Sequence, residues 1–292
     1  MNGDPSTVNC QPSKAAMPIL TLTSDIGQKD FLVGAIKGQI LQVNESFNIV
    51  DIAHQLTPFN YPQAAYVCRN AYKNFPDESF HLVLVNLFDA KPEHLLLARH
   101  KNQYIGIADN GLLTMILEGP PEQVVAIPLE KSIQKTTLYY ASVFAQAFTD
   151  LLSGIPLEKI GQPDIQIQEK NPLRPMLGTN WIEGQIIFID HYENVVVNIT
   201  REEFEEQRKG RGFKIVFKRD EVIEKIGETY ADVQEGEKMA IFNSAGYLEI
   251  AINKGNAAGL FGLQGYSDKQ QSAQSQFLQS RLFYQTVKIF FD

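Results

Sequence analysis

From residue 18 onward the chain alternates between two hydrophobic periods. "PILTLTSDIG" (18–27) is an almost unbroken apolar run closing on a polar turn, which predicts a short buried strand. "FLVGAIKGQILQV" (31–43) spaces its apolar residues three and four apart, which predicts a helix. "FNIVDIA" (47–53) returns to strand. "YPQAAYVCRNAYKNF" (61–75) is again helical, with Pro62 near its start, where a missing N–H costs nothing. Strands are predicted at 80–86, 94–98 and 103–111. "YYASVFAQAFTDLLSG" (139–154) is an amphipathic helix stopped by Gly154. Strands alternating with helices predict an N-terminal α/β domain with a largely parallel sheet over 18–167.

The pattern changes at "QEKNPLRPMLG", where Pro172 and Pro175 mark a linker assigned to 168–180. Beyond it the strands are short and closely spaced: 181–190, 194–199, 212–218, 237–243 and 247–252. That density predicts a C-terminal all-β, barrel-like domain over 181–292. "SDKQQSAQSQFLQS" (267–280) reads as a mobile polar segment, and "RLFYQTVKIFFD" as a closing strand. Residues 1–17 are polar, lack the apolar core of a signal peptide and read as a mobile leader.

Composition narrows the function. The 292 residues carry a net charge of −8 with no long basic run, which disfavours nucleic acid as a partner. No apolar stretch reaches membrane-spanning length. Two cysteines, Cys10 and Cys68, in unlike contexts suit a reducing cytoplasm better than a disulfide scaffold. The five histidines are scattered and form no short-spaced pair with one another or with cysteine, so no metal site is expected. Phosphate-binding glycine loops and the G-x-S-x-G elbow are also missing.

What stands out is a set of polar groups at strand ends. Asp25 and Asp30 follow the first strand, and Asn86, Asp89, Lys91, Glu93 and His94 follow a later one. "ADNG" (108–111) follows another. In a parallel sheet these carboxyl ends share one edge, where ligands bind. A carboxylate there also caps the next helix, and "IDHYEN" (189–194) also reads as a hairpin turn. Spacing alone leaves these alternatives open.

Five segments taken in order carry more. "LTSDIGQKDFLVGAIKGQI", "IVDIAHQLTPFN", "ADNGLL", "FIDHYENVVVNI" and "NSAGYLEIAINKGNAAGLFGL" resemble the S-adenosylmethionine (SAM) hydroxide adenosyltransferases, relatives of the SAM-dependent fluorinase and chlorinase. The resemblance implies an α/β domain followed by a β-barrel domain. It also implies a homotrimer, with SAM held where one subunit's N-terminal domain meets its neighbour's C-terminal domain. The implied reaction is attack on the ribose C5′, by water in the hydrolases and by halide in the halogenases. SAM is the substrate and no cofactor is needed.

Carried over residue by residue, Asp25 matches the aspartate that accepts from both ribose hydroxyls. Asp30 and Asp190 match acids near the methionine amine, and Asn194 matches the reader of the adenine edge. Phe59 stands where the halogenases carry a Trp. Tyr192 and Glu193 replace an aromatic and a Gly of the D-x-F-G-N pattern. Ser244 fits a contact to the methionine carboxylate, and Ala257 a backbone contact to adenine.

The reactive positions differ. The family's Asp, Arg and His are here Asn86, Glu93 and Tyr139, and the loop glycines are gone. Asn86 cannot take a proton, Glu93 removes a cation, and Tyr139 is a poor base near neutrality. His94 and Asp89 stand as replacement bases. The sequence therefore predicts a SAM-binding protein with weak or altered SAM hydrolysis. A pseudoenzyme that binds SAM or adenosine is one alternative. An enzyme using another nucleoside or nucleophile on the same scaffold is another.

Overall fold

The computed structural model of the chain describes residues 17–89, 92–218, 221–263 and 285–292. The leader expected before Met17, Lys91 and the segment 267–280 lie outside them.

The N-terminal part is built on strands β1 (Ile19–Ser24), β2 (Asn48–Ala53), β3 (Phe80–Leu84), β4 (His94–His100), β5 (Gln103–Ala108) and β6 (Gln123–Pro128), in the sheet order β2-β1-β3-β5-β4-β6. Pairings β1–β2, β1–β3 and β3–β5 are parallel, while β4 runs antiparallel to both β5 and β6. The sheet is therefore mixed, with β4 reversed among strands that otherwise share one direction.

Alternate residues of β3 enter two cores. Leu82 and Leu84 pack with Ile36 and Ile40 of helix α1 (Leu32–Val43) on one face. Val83 meets Ala64, Ala65 and Cys68 of α2 (Tyr61–Tyr72), with Leu112 and Ile116 of α3 (Leu112–Leu117), on the other. Helix α4 (Thr137–Leu152) lays Tyr140, Phe144 and Phe148 on the first face, and the short α5 (Leu157–Ile160) follows it. A sheet covered on both faces has near-continuous apolar strands, which is how β3 reads. The residue before α4, Thr136, accepts the Tyr139 N–H and so fixes where the helix begins.

The C-terminal part is antiparallel. Strands β7 (Met176–Leu177), β8 (Trp181–Ile189), β9 (Val195–Thr200), β10 (Phe213–Lys218), β11 (Glu221–Ile223), β12 (Lys238–Phe242), β13 (Tyr247–Ile252) and β14 (Thr286–Phe291) form one curled sheet. Its order is β11-β10-β14-β8-β9-β13-β12, with β7 added on β8. An Ile226–Ala240 bridge links the end of β11 toward β12 and nearly closes the barrel. Ile186, Val197, Ile215, Leu248 and Ile289 fill its interior. The helix α6 (Arg201–Arg208) between β9 and β10 has no counterpart in the sequence reading.

Helix α2 joins the two parts. Arg69 Nη1 donates to Tyr247 Oη at 2.8 Å and to Glu118 Oε1 at 2.8 Å. Tyr66 packs among Phe188, Tyr247 and Ala245, and its hydroxyl accepts from Asn243 Nδ2 at 3.2 Å. These contacts hold the barrel against α2 through Tyr66 and Arg69.

Candidate functional site

The reversal of β4 decides what gathers at the sheet edge. Parallel strands β1, β3 and β5 deliver their carboxyl ends there, and antiparallel β4 delivers its amino end. Asp25 follows β1, Asn86 lies just beyond β3, Asp109 follows β5 and His94 opens β4. In the sheet order β1-β3-β5-β4 these are successive neighbours.

Hydrogen bonds run along this row. The Asn86 N–H donates to Asp25 Oδ2 at 2.9 Å. Asn110 Nδ2 donates to the Val85 and Asn86 carbonyls at 3.0 and 3.1 Å. The His94 Nε2 to Asp109 Oδ2 distance is 3.0 Å, and Asp109 Oδ1 accepts the Gln168 N–H at 2.7 Å. The row continues past β6, where the Glu93 carbonyl accepts the Leu129 N–H and the Tyr139 hydroxyl accepts the Glu130 N–H at 3.0 Å. Asn86, Glu93 and Tyr139, the positions that the resemblance singles out, thus lie along one edge.

Asn86 is held through its backbone and its Oδ1, while its buried Nδ2 has no hydrogen-bond partner among the described residues. It is buried, holds a positive φ of 49°, and its Oδ1 accepts the Phe59 N–H at 2.8 Å. Its amide also lies against the Tyr61 hydroxyl. That hydroxyl donates to Asp89 Oδ2 at 2.7 Å, and burial followed by the Asp89 carboxylate pushes the phenol up. Asp89 and Glu93 are exposed, whereas His94 is half-buried.

Two cavities meet this edge. One, of about 260 Å³, is lined by Asp25, Gly27, Lys29, Asp30 and Thr57. Burial raises the Asp25 carboxyl above its ordinary range, partly offset by the Asn86 N–H and its own backbone N–H. Asp30 Oδ1 accepts the Leu32 N–H at 2.9 Å, so it serves the start of α1 as well as facing the cavity. Asp25 caps no helix. The second cavity, of about 210 Å³, is lined by Asn86, Glu93, His94, Asp109, Asn110 and Gln168. Asn86 therefore lines the second cavity and, through its backbone, is bonded to an aspartate of the first.

A third cavity, of about 600 Å³, lies in the barrel part and includes Asp190, Tyr192, Asn194, Tyr230 and Lys254. Asp190 and Asn194 bracket the turn from β8 to β9. Asp190 Oδ1 accepts the Asn194 N–H at 2.7 Å and Oδ2 accepts Asn194 Nδ2 at 3.0 Å. The stretch is a hairpin turn whose ends line a cavity. Glu193 sits in the left-handed region at φ 62°, the backbone a Gly takes freely. The turn thus keeps a glycine-like path without glycine.

Sequence reasoning missed Tyr230. Its hydroxyl donates to the buried Glu249 at 2.6 Å, and its ring lines this cavity. Ser244 is exposed on the turn between β12 and β13, and Ala257 is fully buried; neither lines the cavity. Asp25 and Asn194 open into different cavities of the same chain. Exposed aromatics border both parts: Phe59 is 56% exposed and Tyr192 75%. Among the described residues no group of three or more His, Cys, Asp or Glu could hold a metal ion, and no helix is long and apolar enough to cross a membrane.

The architecture is that of a two-part protein with an acidic sheet-edge cleft on an α/β unit and a second acidic cavity on a β-barrel. Residues 20–161 match the SAM hydroxide adenosyltransferase N-terminal domain and residues 184–269 the C-terminal domain, so the chain belongs to the SAM hydroxide adenosyltransferase family. It is similar to the (R)-S-adenosyl-L-methionine hydrolase of Thermus thermophilus, at 28% identity over 82% of this chain and 94% of that protein. It is also similar to the fluorinase of Actinopolyspora mzabensis, at 25% identity over 82% of this chain and 92% of that protein. An uncharacterized conserved protein from Thermotoga maritima shares the fold, with a TM-score of 0.74 at 24% identity, covering 93% of this chain and 99% of that one.

Proposed function

We propose that this protein binds SAM and slowly transfers its adenosyl group to water, giving adenosine and methionine. Membership of the family and the relatives named as hydrolases support the reaction class. The observation that carries the reading is the separation of the two acidic half-sites. Asp25 and Asp30 line one cavity and Asp190 and Asn194 another; exposed Tyr192 lines the second, and exposed Phe59 follows Pro58 of the first in sequence. A homotrimer that sets the cleft of one copy against the barrel cavity of the next would complete a single nucleoside site. In that site Asp25 takes the ribose diol on its two carboxylate oxygens. Asp30 and Asp190 favour the cationic end of the ligand. Asn194 reads adenine, while Phe59 and Tyr192 pack on the flat groups. Ser244, exposed on the turn between β12 and β13, stays open to a ligand contact, whereas Ala257 is fully buried. The units 18–167 and 181–292 act as the two halves, joined by 168–180. The buried free thiol of Cys68 is in keeping with a cytoplasmic setting.

A second reading is a SAM- or adenosine-binding protein without turnover. It is favoured by the engagement of an oxygen at two of the reactive positions: Asn86 Oδ1 by the Phe59 N–H, and the Tyr139 hydroxyl by the Glu130 N–H. Incubating purified protein with SAM and separating products by chromatography distinguishes the two. Adenosine and methionine above the no-protein control support hydrolysis. Calorimetric binding without product supports the second reading. Neither binding nor product counts against both.

A further inference from the structure

We infer that His94, held by Asp109, is the group that accepts the proton of the attacking water in place of the family's altered residues. The inference rests on the hydrolytic reading above and names a base for it.

The geometry selects His94 among the candidates. Asn86 has no basic atom. Asp89 is exposed and accepts the Tyr61 hydroxyl. The Tyr139 hydroxyl is tied to the Glu130 N–H. Glu93 is exposed on the loop. His94 alone among these has a second acid aligned behind it: Asp109 Oδ2 lies 3.0 Å from its Nε2, and the Asp109 side chain is only 10% exposed. A carboxylate at Nε2 draws the ring N–H to that side and leaves the Nδ1 lone pair to receive a proton. Asp109 is itself anchored, because its other oxygen accepts the Gln168 N–H. The ring is thus oriented by a carboxylate that the backbone holds still, the base-and-orienter arrangement of general-base sites.

Placement follows from the fold. Because β4 is antiparallel, its first residue emerges on the edge that carries Asp25 and Asn86. His94 and Asn86 line the same 210 Å³ cavity. That cavity has room for several water molecules, and Asn86, which lines it, is bonded through its N–H to Asp25 of the neighbouring cavity; the attacking water must bridge the two.

The step balances without a co-reactant. Water oxygen donates a lone pair to C5′ as the C5′–S bond breaks. The bond's electron pair stays on sulfur as the neutral thioether of methionine, and the proton lost by water goes to His94 Nδ1. Asp109, which does not touch substrate, is a positioning residue that stabilises the imidazolium.

The test uses the full-length protein, SAM as substrate and adenosine as the readout. His94→Ala should lower kcat by about 10²-fold, within the range for loss of a positioned base, with KM little changed. Added imidazole should restore part of that loss in a concentration-dependent way. Asp109→Asn should lower kcat, while imidazole gives it no rescue because the ring is still present. A folded His94→Ala protein that turns over SAM as fast as the unaltered protein overturns the assignment and leaves the function standing. A loss of rate that imidazole does not relieve, with SAM binding retained, also overturns it. If the unaltered protein itself releases no adenosine, the hydrolytic reading fails and the assignment fails with it. His94→Gln, closer in shape, guards against a folding defect: rates equal to the unaltered protein refute the base role.

Discussion

The backbone N–H of Asn86 donates to the carboxylate of Asp25 at 2.9 Å, tying together the ends of two adjacent parallel strands. Asn86 thus helps hold Asp25 at the sheet edge. This bond partly offsets the burial that raises the Asp25 carboxyl. The raised value means that the folded chain binds this proton more tightly than the unfolded chain. Through this group, stability therefore falls as pH rises above the ordinary carboxylate range.

Asp25→Asn should accordingly raise the thermal midpoint at pH 7, because the amide removes a half-buried charge and keeps an oxygen for the Asn86 N–H. The same change should weaken SAM binding by about 10- to 100-fold, the loss expected when hydrogen bonds to a charged group become neutral ones. Melting curves and calorimetric titration check the two halves. Unchanged SAM affinity would remove Asp25 from the ligand site.

His81 provides a pH dependence of opposite sign. It is buried, its Nδ1 lies 2.8 Å from Thr21 Oγ1, and burial pushes the imidazole down to about 4. A histidine in the unfolded chain titrates near about 6.5. Between these values the unfolded chain binds the proton better, so stability is full above the unfolded value and falls as pH drops toward 4. The slope attributable to this residue approaches ~1.4 kcal/mol per pH unit, or roughly 3 kcal/mol across the window. Asp25 and Glu249, both raised by burial, act in the contrary direction, so the comparison must be made against a variant. Urea unfolding of the protein and of His81→Asn from pH 7 to pH 4.5 should show the flatter dependence in the variant. Parallel curves would mean that His81 does not titrate this way.

Glu193 makes the third case. Its φ of 62° carries a cost of about 1 kcal/mol for a residue with a side chain. Its N–H donates to the Asp190 carbonyl, and its own carbonyl accepts the Ala258 N–H. Glu193→Gly keeps both bonds and should raise the thermal midpoint, whereas Glu193→Ala, which keeps a Cβ, should not. Equal midpoints for the two variants would show that backbone strain is not what Glu193 costs.

Glu193 also shows where the sequence was legible and where it was not. The turn between β8 and β9 could be read from Asp190 and Asn194 despite the lost glycine, because its ends are polar and both flanks are apolar runs. The two fold classes were legible for the same reason: hydrophobic period survives substitution. Direction does not appear in that period. The run 94–98 reads as a strand whichever way it points, and only the length of the loop before it carries a sign of the reversal seen in β4. Residues 85–93 are too few for the crossover of a dozen or more that a parallel return needs. Helix α6 was missed because "REEFEEQR" offers one apolar residue, Phe204, although Thr200 and Glu203 form a capping box. The His94–Asp109 contact leaves no local trace, because its partners approach only through the pairing of β4 with β5.

Asn86→Asp, Glu93→Arg and Tyr139→His together install the three groups that the family resemblance implies. Asn86, Glu93 and Tyr139 lie along one sheet edge, so replacing all three changes neighbouring positions of one site. Asn86→Asp retains an oxygen for the Phe59 N–H and adds a base. Glu93→Arg turns an exposed acid into a cation that can stabilise hydroxide. Tyr139→His releases the Glu130 N–H and supplies an imidazole at the start of α4. The triple variant should hydrolyse SAM about 10²-fold faster than the unaltered protein, the lower end of what a positioned base contributes. Each single variant should gain less, since a base without its cation leaves the anion unsupported. Adenosine release under saturating SAM measures the gain, and calorimetry confirms that SAM still binds. If binding persists and the rate does not rise, the substituted side chains are not what limits the reaction. The altered path of the loop, with Asn86 at a positive φ of 49°, would then be the cause.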